Sequence, residues 1–239
     1  MTSALAWGAL AASSLVLGAW IGLIRTWPAR LVGAVLGFGA GALISAVSFD
    51  LAEAGARLGG GDAVAVGLAC GAVTYFLANR LLARHAPTPH DPRTPSGAGP
   101  ALALGAFLDG IPEQLVLGIG LATGEGISVG LLAAIFVSNL PEAIGSATAM
   151  RVADRKPGAI LRLWTAVAVV CALATVAGFA IADTAPGDLQ AAIDGFAAGA
   201  LLVMLIDSMI PEAVRQAGDI AGLVTVLGFA VAAALSAVG

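Results

Sequence analysis

Charge, histidine and cysteine are the scarce materials of this sequence. Only 11% of its 239 residues are Asp, Glu, Lys or Arg, while 59% are hydrophobic, which is too little polar surface to coat a soluble globule. The 11 Lys and Arg residues are scattered singly and the net charge is -4, so there is no basic face for nucleic acid. Cys70 and Cys171 lie in separate apolar runs with no CxxC spacing, which excludes a zinc clip or a redox pair and leaves both as small core residues. The two histidines, His85 and His90, share one polar stretch, and no HExxH or GxSxG occurs. An intramembrane hydrolase therefore lacks its machinery, and the chain reads as a non-enzyme with no resident cofactor. No cation precedes the first apolar run, while Arg25 and Arg30 follow it. That is the reverse of a signal peptide's charge order, so this run is expected to stay as a helix.

What the sequence has in quantity is apolar length. Cutting at charges, prolines and glycine clusters leaves segments near 3–24, 31–54, 62–83, 100–123, 126–150, 158–182, 189–213 and 220–238. Each is close to the roughly 20 residues that a helix needs to cross about 30 Å of hydrocarbon. The expectation is an all-α polytopic membrane protein of eight transmembrane helices forming one domain over 1–239. Arg25, Arg30, Arg80, Arg84, Arg93, Arg151, Arg155 and Lys156 fall on one side, and Glu125, Asp183 and Asp188 on the other. By the positive-inside rule this predicts a multi-pass protein of the plasma (inner) membrane with both termini outside. The stretch 84–99 is rich in Pro, Gly and Ser and is expected to be a flexible cytoplasmic loop.

Gly37-Phe38-Gly39-Ala40-Gly41-Ala42-Leu43 in the second segment is echoed by Gly195-Phe196-Ala197-Ala198-Gly199-Ala200-Leu201 in the seventh. The echo continues, with a one-residue slip, through Asp50/Glu53 against Asp207/Glu212, then Arg57 against Arg215 and Gly61-Asp62 against Gly218-Asp219. These two segments run in opposite directions by the loop count. Segments 1–3 and 6–8 then form inverted repeats around 4 and 5, a 3+2+3 order typical of alternating-access transporters.

An ionised carboxylate at mid-bilayer costs about 2.5–3.5 kcal/mol on insertion scales, so its position carries information. The fourth segment holds Asp109-Gly110-Ile111-Pro112-Glu113-Gln114 and the fifth holds Ser138-Asn139-Leu140-Pro141-Glu142. Asp109 and Glu113, like Ser138 and Glu142, are spaced i, i+4 and share a helix face. Pro112 and Pro141 lack an amide hydrogen and free the carbonyls of Leu108 and Val137. Opposed, the two faces offer Asp109, Glu113, Glu142, Ser138, Asn139 and Gln114, an oxygen-rich cage suited to a divalent cation.

These motifs, DGIPEQ and SNLPEA, resemble the fourth- and fifth-helix motifs of ZIP (Zrt/Irt-like) metal transporters, HNxPEG and H-x-x-P-E. Eight spans, outside termini, the 3+2+3 order and the loop after the third helix are similar too. By position, the resemblance puts Asp109 where the family has its fourth-helix histidine and Gly110 where it has asparagine. Glu113 and Glu142 stand at the bridging glutamates, Ser138 at the fifth-helix histidine, and Asn139 directly after it. Both motif histidines are absent, and the sixth segment has no acidic residue at its middle. The resemblance implies zinc, iron, manganese or cadmium as substrate, zinc first. The oxygen-rich residues alone suggest a harder or less selective site, or a weaker zinc site.

Asp50 and Glu53, with Asp207 and Glu212, sit towards opposite membrane faces as an entrance and an exit that concentrate cations. Glu53 with Arg57 and Glu212 with Arg215 equally suit helix-end ion pairs. Gly37-x-x-x-Gly41 and Gly195-x-x-x-Gly199 fit close packing within one chain and homodimerisation alike. Trp7, Trp20, Trp27 and Trp164 are expected as interface anchors. The partners are thus divalent metal ions and lipid. Two alternatives stay open: a proton or small-cation permease using the same carboxylates, and a non-transporting metal-sensing relative.

Overall fold

The computed structural model describes residues 1–85, 98–122, 129–183 and 185–236, with the side chains of 82–85 and 98–109 outside that description. His90 and nearly all of the 84–99 loop lie outside the described residues, and α-helix continues to His85. All regular structure among the described residues is helical. In chain order it is α1 (Thr2–Ile24), α2 (Ala29–Ala46), a π segment (Val47–Glu53), α3 (Ala54–Gly59), α4 (Gly61–His85), α5 (Ala98–Ala122), α6 (Val129–Val152) and α7 (Pro157–Ala182). There follow α8 (Gly187–Met204), a second π segment (Leu205–Met209), α9 (Ile210–Ala217), a 3-10 turn (Gly218–Ile220) and α10 (Ala221–Ser236).

Six described segments are long and apolar enough to cross a membrane, and the described part of α5, Gly110–Ala122, is a shorter apolar stretch. The outward faces are apolar as well: Leu223 is 75% exposed, Val226 68% and Val66 64%. Water would penalise such a surface and lipid would not. The chain is a polytopic helical membrane protein.

Glycine sets the packing, because lipid offers no hydrophobic drive and helices gain only by close approach. Gly18 and Gly22 of α1 lie against the backbone at Leu140 and Ile144 of α6, so these two helices run parallel. Gly67 and Gly71 of α4 seat on Ala192 and Phe196 of α8, and Gly195 and Gly199 seat back on Val64 and Leu68. The same reciprocal seating joins α5 to α7 through Gly118 and Gly178, and α2 to α10 through Gly41 and Gly228. Packing within the chain therefore occupies Gly41, Gly195 and Gly199. Around the site, α1, α5, α6 and α7 form one bundle, while α4 with α8 and α2 with α10 form flanking pairs.

The last helical run, Gly187–Ser236, is 50 residues long and doubles back on itself. Gly55 and Gly59 meet Asp194 and Ala191, so α8 opposes the α2–α3 direction, whereas Gly37 and Gly41 meet Ala221 and Thr225, so α10 follows it. The reversal falls at Gly218, whose φ of +62° suits a residue without Cβ. Gly60, with φ +87°, makes the matching reversal between α3 and α4. The same sequence interval separates Gly37 from Gly195, Val47 from Leu205 at the start of each π segment, and Gly60 from Gly218. The slip read between the two acidic pairs does not carry through to the turns, where Gly60, not Gly61, is the partner of Gly218.

One tryptophan departs from expectation. Trp164 is fully buried in α7, packed with Leu15 and Ile160 in a core cluster, because its place in the span faces α1 and not the interface. Trp27 is tied to the end of α1: its indole N–H donates to the Ile21 carbonyl at 3.2 Å and the Arg25 guanidinium lies 3.9 Å from its ring centroid. Arg151 at the end of α6 donates to the Leu23 carbonyl at 2.8 Å. A cation there satisfies an orphan carbonyl at the C-terminus of α1.

Candidate functional site

Helix α5 continues through Pro112 and α6 through Pro141, so both Pro-Glu motifs stand inside helices of the central bundle. Glu113 is 1% exposed and Asn139 1%, and Gln114 and Ser138 are sealed. Glu142 is partly buried as a residue. Asp109 belongs to the α5 backbone, and its side chain lies outside the described residues.

The two motifs are joined by a hydrogen bond. Ser138 Oγ sits 3.2 Å from Glu113 Oε1 and 3.0 Å from the Ile135 carbonyl, so one hydroxyl hydrogen is shared between two acceptors. On the other side of α5, Thr175 Oγ1 donates to Gln114 Oε1 at 2.6 Å and fixes the register of α7. One turn back on α7, Cys171 is fully buried. A Cβ at Gly110 would lie 3.0 Å from its Sγ and 4.0 Å from Asn139 Oδ1.

The carboxamides Asn139 Nδ2 and Gln114 Nε2 are buried without a hydrogen-bond partner among the described residues. An unmet buried donor costs about 1–3 kcal/mol, so these amides mark places where a ligand or water is expected. Among the described residues no three His, Cys, Asp or Glu side chains stand close enough together to form a ready metal cage.

Helix α2 closes one side. A Cβ at Gly39 would meet Ser138 Cα at 2.8 Å and Cβ at 3.0 Å, so only glycine lets α2 lie on the fifth-segment motif. An apolar cavity of about 610 Å³ is lined by Ile111, Pro112 and Leu115 of α5 together with residues of α4, α7 and α8.

The outlying acidic residues are placed differently. Glu53 pairs with Arg57, and Glu212 with both Arg215 and Gln216, the local helix-end pairing that their spacing allowed. Asp50 is half-buried and Asp207 exposed, each inside a π segment. Sequence reading passed over two buried polar residues of α8, Asp194 and Gln190, which are spaced i, i+4 near Gly55 and could have been found as a polar face in an apolar run. Cys171 and Thr175 form a similar i, i+4 face on α7.

No family model matches the chain. It is 31% identical over 188 residues to an Arabidopsis thaliana protein named "Putative zinc transporter". The match takes in 76% of this chain and spans 30% of that relative's length.

Proposed function

We propose that the chain is a ZIP-type transporter of a divalent metal cation, zinc or a related ion such as iron, manganese or cadmium, and not an enzyme. The ion sits between α5 and α6, held by Glu113 and Glu142 with Ser138, Asn139, Gln114 and Asp109 around it. The observation that carries this reading is the Ser138–Glu113 hydrogen bond, which brings two sequence-matched Pro-Glu motifs face to face in the buried interior. Burying a carboxylate is costly, and a bound dication offsets that cost. The similarity to a protein named as a zinc transporter adds support.

In this reading eight helices cross the inner membrane with both termini outside, in 3+2+3 order, and the repeats 1–3 and 6–8 are inverted copies. The paired π segments, the paired left-handed glycines and the parallel pairs α1/α6 and α4/α8 support it. Alternating access then moves the central bundle against the flanking pairs. Support comes from the asymmetry between them: α2 is closed on α6 at Gly39, while an apolar cavity lies among α5, α4 and α8. Asp50 and Asp207 are secondary stations at the two ends of the path, while Glu53 and Glu212 are held in ion pairs with Arg57 and Arg215.

The test is zinc-dependent thermal stabilisation of the purified protein, expected for the wild type and absent in Glu142→Ala. Equal stabilisation of both would contradict the site. Absence in both, with proton flux retained in liposomes, would assign the carboxylates to a proton or small-cation permease instead.

A further inference from the structure

We infer that the apolar cavity beside α5 is a binding site for one acyl chain of an anionic phospholipid, with the lipid phosphate held at the Asn79–Arg80 end of α4. This is a function separate from metal movement and does not depend on the carboxylate site.

The cavity, about 610 Å³, runs along α4 and α8, and its wall is apolar almost throughout. On α4 it extends from Val66 to Asn79, about 20 Å at 1.5 Å per residue. That is long enough for a chain that fills one leaflet, about half of the 30 Å hydrocarbon core. The cavity reaches the lipid-facing surface, because Val66, Ile181, Leu189 and Phe196 all line it and are all exposed. Its occupant therefore comes from the hydrocarbon around the protein and not from water. The chain itself offers nothing to fill it: the stretches 86–97 and 123–128, outside the described residues, are rich in Pro, Gly and polar residues and hold no apolar run.

The two ends differ in charge. The apolar span of α4 ends at Leu81, so Asn79 and Arg80 stand at headgroup depth. Asn79 lines the cavity and is half-buried. The exposed Arg80 guanidinium lies 5.2 Å from the Phe76 ring centroid and has no carboxylate partner among the described residues. A guanidinium takes phosphate through paired hydrogen bonds, and the neighbouring carboxamide adds a neutral donor. At the other end, Asp188 precedes Leu189 and Asp62 lies one turn before Val66, so a phosphate is repelled there. Charge thus sets which way the lipid lies. Pro112 also lines the cavity, so the chain packs against α5 at the depth of its Pro-Glu motif.

The test uses the full-length wild-type protein in liposomes doped with phosphatidylglycerol whose acyl chain carries a photoactivatable diazirine. After irradiation, peptide mapping should find the adducts concentrated on cavity residues such as Cys70, Ala78 and Ala192, above those on Leu223 and Val226, which are large, highly exposed and outside the cavity. Phosphatidylcholine with the same chain should label the cavity about fivefold less, the effect of one arginine near the membrane surface, and Arg80→Gln should remove that difference. Ala197→Phe, which places a ring in the cavity, should cut its adducts severalfold and leave those on Leu223 and Val226 unchanged. Adducts led by Leu223 and Val226 in the wild type overturn the site. Equal labelling of the cavity by the two lipids overturns the phosphate contact and with it the anionic lipid. A cavity that takes no adduct from either lipid overturns the proposal too, and points to a second copy of the chain as its cover. The wild-type pattern needs no substitution, so misfolding of a variant cannot blur the outcome.

Discussion

Ser138 on α6 and Glu113 on α5 stand 25 residues apart in sequence and 3.2 Å apart in space, hydroxyl to carboxylate, where neither is open to solvent. That contact locks the two Pro-Glu helices together at the depth of their prolines. A hydrogen bond to a charged group contributes about 1.5–3 kcal/mol, so Ser138→Ala should weaken zinc binding by roughly tenfold or more without abolishing it. Isothermal titration of the purified variant measures this, and unchanged affinity would remove Ser138 from the site.

Gly39 tests the contact of α2 with the site. Gly39→Leu places a side chain where Ser138 Cα and Cβ already lie 2.8 and 3.0 Å from a mere Cβ. Transport in liposomes should fall severalfold, because α2 can no longer lie on the fifth-segment motif, and unchanged transport would remove that contact from the account.

Thr175→Val removes the donor to Gln114 Oε1 while keeping the volume. The stranded, buried Gln114 should cost about 1–3 kcal/mol and lower the melting temperature of the protein in detergent. Thr175→Ser should retain most of the stability, since it keeps the hydroxyl.

Gly60→Ala and Gly218→Ala test the paired reversals. Each residue has positive φ in open space, so the penalty is conformational, about 1–2 kcal/mol. Similar losses in thermal stability at both positions are expected, and Gly61→Ala, without such a φ, should be mild.

Much of this was legible because the bilayer leaves the sequence little freedom: apolar length marks helices, and each buried charge is an exception that needs a reason. Glu113 and Glu142 were visible on that ground, and so was the echo between Gly37 and Gly195. What stayed hidden depended on which helix faces which. Cys171 in an apolar run looks like any small residue until α7 is docked on Gly110. Trp164 looked like an anchor because its sequence position says nothing of which way its face of α7 points. The ambiguity of Glu53 and Glu212 came from spacing that suits a local ion pair and a cation station equally, and only coordinates show the pairs with Arg57 and Arg215.

The central claim is that Glu113 and Glu142 together hold a transported dication, and zinc flux into proteoliposomes tests it most directly. Wild-type protein should carry zinc, while Glu113→Gln and Glu142→Gln, which keep the shape and remove the charge, should each reduce flux to the level of empty liposomes. Undiminished zinc flux in both variants would contradict the account.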